Sequence, residues 1–247
     1  MDAKEYVQNL VDKGRAAQAI FETYSQEEVD ACVRAIGKVV ADNAALLARE
    51  AVEETGMGVY EDKIAKNSGK AKAVWYRLKG VKSRGIIRRD EKMGIVEVAK
   101  PKGVIGSITP TTNPTMTPMQ TGMVALMGGN AILVCPHPTS KKVSMHTCEL
   151  MRGALRELGA PEDLIQCIPE PTLETSGLVM ALTDVCIATG GSAMVKAAFS
   201  SGRPAYGVGP GNVQCLIDRD ADLNDAIPKL AKGRIYDNGI LCTCEQA

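Results

Sequence analysis

Chemistry in this sequence concentrates where short apolar runs break into glycine, proline and small polar residues. Cys242 ends Asp237-Asn238-Gly239-Ile240-Leu241-Cys242, in which Asn238-Gly239 suits a turn and the run after the thiol can begin a helix. A thiol at a helix N-terminus tends toward thiolate, its nucleophilic form. On spacing alone, any one of the eight cysteines can as readily be a small buried hydrophobe. Asn113 lies in Thr109-Pro110-Thr111-Thr112-Asn113-Pro114, a turn dense in breakers that can present an amide N–H to an oxyanion or simply form an Asx turn before a helix. His137, between Pro136 and Pro138, is rigidly held; it can act as a general base, bond structurally, or sit in a loop that touches an adenosine. Thr189-Gly190-Gly191-Ser192 opens a helix with small residues, which suits a pyrophosphate at the helix N–H donors or a plain tight turn, and it lacks the G-x-G-x-x-G fingerprint. The glycines of Gly207-Val208-Gly209-Pro210-Gly211-Asn212 can admit a flat ring against the backbone or merely turn the chain.

These segments need elements to hold them. Up to about residue 80 the pattern is helical: Val29, Cys32, Val33, Ile36 and Val40 recur on one face, and Ser25 with Glu28 forms a capping-box pattern before it. From Gly94 onward short β-rich runs alternate with helical stretches. The expected strands are Ile95–Val98, Val104–Ile108, Ala131–Cys135, Leu164–Ile168, Val185–Ala188 and Val213–Ile217, with helices at Lys141–Leu158 and Ser192–Ser200 among those between them. Strands separated by helices imply a parallel, doubly wound (Rossmann-like) α/β sheet. Such sheets bind ligands beyond the carboxyl ends of their strands, which points to the loops after Ile108, Cys135 and Ala188. The expected division is a helical scaffold over 1–90, a dinucleotide-binding domain over 91–235, and the start of a catalytic domain over 236–247.

Composition narrows the partners. Lys plus Arg and Asp plus Glu are 29 each, so there is no electrostatic footprint for nucleic acid or an anionic membrane. No apolar run reaches the roughly 18 residues of a membrane span, and the first residues form no signal core, so a cytoplasmic protein that binds small molecules is expected. The cysteines lack the paired spacing of a disulfide framework, and with two histidines in the chain no metal site is expected.

Taken in order, the motifs resemble the coenzyme A-acylating branch of the aldehyde dehydrogenase superfamily. The resemblance is carried by Pro110-Thr111-Thr112-Asn113-Pro114, Pro136-His137-Pro138, Ala188-Thr189-Gly190-Gly191, Ser200-Ser201-Gly202-Arg203-Pro204-Ala205, the Gly207–Asn212 run, and Asp237–Cys242 with Glu245-Gln246. Tyr24–Asp30 and Ala51–Lys63 are similar to the type acting on succinate semialdehyde or sulfoacetaldehyde. The resemblance implies that Cys242 is the nucleophile and Asn113 the oxyanion donor. It also implies that Thr111, Pro136, His137, Pro138, Thr189, Gly190, Gly191, Ser192, Gly207 and Gly209 bind the cofactor, NADP or NAD, with coenzyme A as co-substrate. The loop Cys135–Thr139 has no carboxylate for a ribose hydroxyl, so NADP should be accepted, with Lys141 or Lys142 as a phosphate contact. Gly207 stands where hydrolytic relatives carry a glutamate, which favours release by CoA over water and leaves space for a pantetheine arm. Cys244 replaces a usual small residue and would set a second thiol beside the first. The family's catalytic domain and oligomerisation hairpin are expected beyond Ala247, so this chain alone should be weakly active and the complete protein a homo-oligomer. A non-catalytic dinucleotide-binding or assembly module and a hydrolytic aldehyde dehydrogenase are the competing readings.

Overall fold

The computed structural model describes residues 2–209 and 211–246. Four helices come first: α1 (Ala3–Phe21), α2 (Gln26–Asp42), α3 (Ala44–Thr55) and α4 (Tyr60–Leu78). The start of α2 follows from its sequence. Ser25 accepts from the Glu28 N–H while the Glu28 carboxylate accepts from the Ser25 N–H, satisfying two donors that a helix start leaves open. Val29, Cys32, Val33, Ile36 and Val40 are all buried, as their spacing requires.

The chain then forms an antiparallel ribbon of β1 (Gly85–Asp90) and β2 (Ile95–Ala99). Here the structure corrects the sequence reading, which put Ile95–Val98 among the parallel strands. A short turn at 91–94 allows only antiparallel return. Most of the ribbon is exposed, so it has no place in a sheet covered on both faces.

The sheet follows, with its helices: β3 (Val104–Ile108), α5 (Met116–Met127), β4 (Ala131–Cys135), α6 (Lys141–Glu157), β5 (Ile165–Cys167), α7 (Leu173–Leu182), β6 (Val185–Thr189), α8 (Ser192–Phe199) and β7 (Ala205–Val208), then α9 (Leu223–Ile235). All sheet pairings are parallel, in the order β5-β4-β3-β6-β7. Every residue of β3, β4 and β5 is buried, which explains the unbroken apolar run of β4; the buried polar Ser107 of β3 and Gln166 of β5 donate to the Thr121 hydroxyl and the Leu10 carbonyl. One core runs from Val7 on α1 through both strand faces to Ala198 on α8, so the leading helices are packed into the same core as the sheet.

The expected strand Val213–Ile217 does not form. The edge beside β6 is taken by β7, and only Val213 makes an isolated bridge, to Glu245. Leu216 is 96% exposed. An apolar run with no neighbour to pair with gains nothing by extending. Among the described residues no helix is long and apolar enough to cross a membrane.

Candidate active site

The strand order reverses direction between β3 and β6: the chain moves outward through β4 and β5, then returns to the other side of β3. Loops after the two strands diverge at such a point and leave a crevice. Here they leave two cavities of about 410 Å³ each. The first is lined by Thr111, His137, Gly190, Gly191, Gly209 and Gly211. The second is lined by Lys66, Lys70, Met116, Gln120 and Tyr236. Asn113, Thr189, Val208, Leu241 and Cys242 line both, so the predicted nucleophile and oxyanion donor stand in the wall between them.

Most of the predicted residues therefore meet, although 129 positions separate Asn113 from Cys242 in sequence. His137 bonds through Nδ1 to the Thr139 hydroxyl at 2.8 Å, which lies 2.8 Å from the Thr111 hydroxyl, joining the β3 and β4 loops. Pro136, Pro138 and Ser192 lie outside both linings; Pro136 is buried, Pro138 opens a short 3-10 turn over Pro138–Ser140 and Ser192 is the first residue of α8. Gly207 is in strand β7 rather than a loop. A Cβ there would meet Val195 at 2.5 Å and Phe199 at 2.8 Å, so the room expected for a pantetheine arm is filled by α8. Cys242 does not start a helix: residues 240–244 form turns and bends that lead into the Glu245 bridge. Cys242 is exposed, whereas Cys244 is buried with its thiol directed to the Tyr236 carbonyl at 3.5 Å, so the two thiols face different surroundings. Lys141 is paired with Glu170, and the Glu54 carboxylate accepts from the Lys142 and Val143 N–H groups at 2.9 and 2.8 Å. Carboxylates from elsewhere in the chain thus reach the first turn of α6, just beyond the Cys135–Thr139 loop. All eight cysteines are free, and among the described residues no group of three or more His, Cys, Asp or Glu is placed to hold a metal ion.

A family model described as the aldehyde dehydrogenase family matches residues 1–247. The chain belongs to the aldehyde dehydrogenase family. Over 241 residues it is 53% identical to the succinate-semialdehyde dehydrogenase (acetylating) of Clostridium kluyveri, an alignment covering 98% of this chain and 53% of that one. It is 46% identical to the sulfoacetaldehyde dehydrogenase of an Acholeplasma species, covering 97% of this chain and 50% of the other. The fold matches the acetylating aldehyde dehydrogenase of Geobacillus thermoglucosidasius with a TM-score of 0.95 at 41% identity, over 98% of this chain and 54% of that one. It matches the propionaldehyde dehydrogenase of Rhodopseudomonas palustris, solved with CoA and an acylated cysteine, with a TM-score of 0.86 at 33% identity, over 97% and 55% of the two chains. The acylating branch that the motifs indicated is thus represented among these relatives by the two named as acetylating and by the one solved with CoA and an acylated cysteine. The chain spans about half the length of the curated relatives it matches.

In this aldehyde dehydrogenase chain the sequence reading missed what holds the Cys242 loop. Asp237 has no exposed surface and sits at φ 52°, with Asn238 at φ 57°. Its carboxylate accepts from the Val59 N–H at 2.8 Å, from Lys66 at 2.7 Å and from Lys63 at 3.3 Å. Burial pushes the Asp237 carboxyl up, but the Lys66 hydrogen bond, the Val59 N–H and both ammonium charges outweigh it and hold it below its ordinary value. Burial pulls Lys66 below the usual lysine range, opposed by its bond to Asp237 and reinforced by the like charge of Lys63. The signal available in sequence was Lys63 and Lys66 spaced for one helix face, with a carboxylate just before an Asn-Gly turn.

Proposed function

We propose that this chain supplies the cofactor cradle and the nucleophile of a CoA-acylating aldehyde dehydrogenase whose substrate is a short aldehyde bearing an anionic group. The observation that carries this reading is Cys242 and Asn113 in the wall common to two cavities, where one reacting carbon can be reached from both sides. The first cavity fits a dinucleotide. Space beside Gly190, Gly191 and Gly209 is open, and Gly191 precedes α8 as its N-cap with no side chain to cover the first N–H groups. Thr111, His137, Thr189, Gly190, Gly191 and Gly209 would hold NADP or NAD there.

When bound, the nicotinamide supplies the hydride acceptor. The Cys242 thiolate adds to the aldehyde carbon. The Asn113 amide and the Cys242 backbone N–H stabilise the resulting oxyanion, as preorganised donors do for tetrahedral intermediates. After hydride loss Cys242 carries a thioester, which the CoA thiolate attacks, releasing acyl-CoA and restoring the thiol. Among the described residues no carboxylate lines either cavity, so none is placed there to activate water, while an ionised thiol needs no such base. This supports release by CoA without recourse to space at Gly207. Lys66, Lys70 and Gln120 in the second cavity suit a distal carboxylate or sulfonate, the groups borne by the aldehydes in the names of the two relatives. We read the complete protein as cytoplasmic and as a homo-oligomer, the oligomer being supported by the exposed apolar residues Ile86, Ile87, Met93, Val96 and Val98 on the β1–β2 ribbon.

The test uses the protein as its gene encodes it. With succinate semialdehyde and NADP or NAD but no CoA, at most one reduced cofactor per site should form; CoA should start turnover, and butanal should be a poorer substrate. Cys242→Ala should bind cofactor and make no acyl-CoA. Sustained release of free acid without CoA would refute the acylating reading. Turnover by Cys242→Ala alongside a dead Cys244→Ala would move the nucleophile to the other thiol.

A further inference from the structure

Helix α4 touches the site at more points than a scaffold requires. Lys63, Lys66, Asn67 and Lys70 stand at i, i+3, i+4 and i+7, one face of the helix. From that face Lys63 and Lys66 hold Asp237, five residues before Cys242. Asp62 and Val59 on the same segment complete the grip. The Asp62 carboxylate accepts from the Asp237 N–H at 2.8 Å, its carbonyl accepts from the Tyr236 hydroxyl at 2.9 Å, and the Val59 N–H donates to Asp237. Gly58, at φ 84°, allows this approach: a Cβ there would fall on the Asp237 carboxylate and the end of Lys63. One turn further along, Asn67 is 1% exposed. Its Oδ1 accepts from the Thr115 hydroxyl at 2.8 Å and its Nδ2 donates to the Ala44 carbonyl at 3.2 Å. Thr115 is two residues after Asn113.

We propose that this face of α4 aligns the two catalytic groups, with Asp237 as the positioning residue for Cys242 and the Asn67–Thr115 pair as the positioning contact for Asn113. The proposal rests on the reading of Cys242 as nucleophile. Among the described residues nothing else of comparable strength holds the Cys242 loop. Helix α9, which leads into it, buries none of its residues, and beyond it the loop has the Val213–Glu245 bridge. Two successive non-glycine residues at positive φ are strained, so the conformation that presents Cys242 persists only while its partners hold it. A buried carboxylate between two lysines is such a partner. Its removal leaves two ammonium groups facing each other with no charge between them. Because both loops are tied to one rigid helix, their separation is set by α4 and not by the long chain between them.

The prediction concerns rate at constant binding. In the full-length protein, the double variant Asp237→Asn with Lys63→Met removes the anchor while keeping the local charge balanced; Lys63 lines neither cavity. Thr115→Val removes the other contact without touching a charge. A displacement near 1 Å costs about a hundredfold in rate, so kcat should fall about 10- to 100-fold in each, with the aldehyde KM and the NAD(P) Kd within about twofold of the parent. A role confined to stability would instead lower the melting temperature and the fraction of titratable active sites while leaving kcat per active site unchanged. If the double variant does not fold, Thr115→Val decides. A folded variant with parental kcat per site overturns the proposal. Cys242→Ala assayed alongside separates the two ideas. If it is dead while the positioning variants run at parental rate, α4 alignment alone is wrong; if it is active, the nucleophile assignment is wrong.

Discussion

Strands β3 and β4 and the stretch from Gly211 to Gln246 meet at one wall, yet they are held there in opposite ways. The strands are buried at every position, share a parallel register, and carry their loops on a core that extends to α1. The later stretch has no buried residue in α9 and exposes Leu216, Leu223, Ile227 and Ile235. It is fastened by the Asp237 cluster, the inward-facing Cys244 and a single bridge. A core distributes its stabilisation over many side chains, so its loops are placed redundantly. A tether concentrates it in a few polar contacts, where loss of one partner strands the others. The proposed cofactor cradle and the proposed nucleophile are therefore held to different tolerances in one wall.

Substitutions can break this contrast. The largest effect should come from Leu133→Ala on the fully buried β4, which should cost about 2–5 kcal/mol through lost burial and the cavity left behind, whereas Ile227→Ala on α9 should stay within about 0.5 kcal/mol. Urea unfolding of the two variants measures the difference, and equal losses would show that α9 belongs to a packed unit. Next is Asn113→Ala. Its loop is carried by the core, so stability should be nearly unchanged while kcat falls about 10²- to 10³-fold, the usual effect of removing one oxyanion donor. Steady-state kinetics with a melting curve on the same preparation checks both halves. An unchanged kcat would remove Asn113 from the mechanism.

The smallest effect sharpens the contrast through pH. Burial first, with the charge of Glu28 adding, pushes the Cys32 thiol up to about 11; burial, with Cys135 adding, pushes Cys186 up to about 11. Cys135 moves in the same direction, again chiefly through burial. A thiol whose folded value lies above its unfolded one keeps its full contribution below the unfolded value, near 9, and loses it as pH rises from there toward 11. The urea midpoint should thus hold at pH 8 and drop by pH 10.5. Cys215 and Cys242, the exposed thiols, should react with a thiol reagent before unfolding and the buried ones only on unfolding. Rapid labelling of Cys32 or Cys186 in the native protein would contradict the packing described for α2 and β6.

What the sequence determined by itself was whatever is encoded locally or repeated with a period. The α2 face and its cap, the apolar runs of β3, β4 and β6, and the small-residue opening of α8 each follow from interactions spanning a few residues. The motif set likewise pointed to the acylating branch, because six short segments matched it together and in order. Tertiary structure decided what depends on neighbours distant in the chain. Ile95–Val98 pairs with β1 instead of the sheet, and Val213–Ile217 forms no strand beyond the single Val213 bridge because β7 takes the place beside β6; strand formation needs a partner, which no local pattern names. The space beside Gly207 is filled by α8, and Lys141 is occupied by Glu170, since what surrounds a residue is set by packing across the fold. The anchoring of Asp237 by Lys63 and Lys66 belongs to the same class. Two lysines one helical turn apart and a carboxylate more than 170 positions further along become one buried cluster only once α4 and the Cys242 loop are folded together, because burial is what makes that pairing strong and its loss costly.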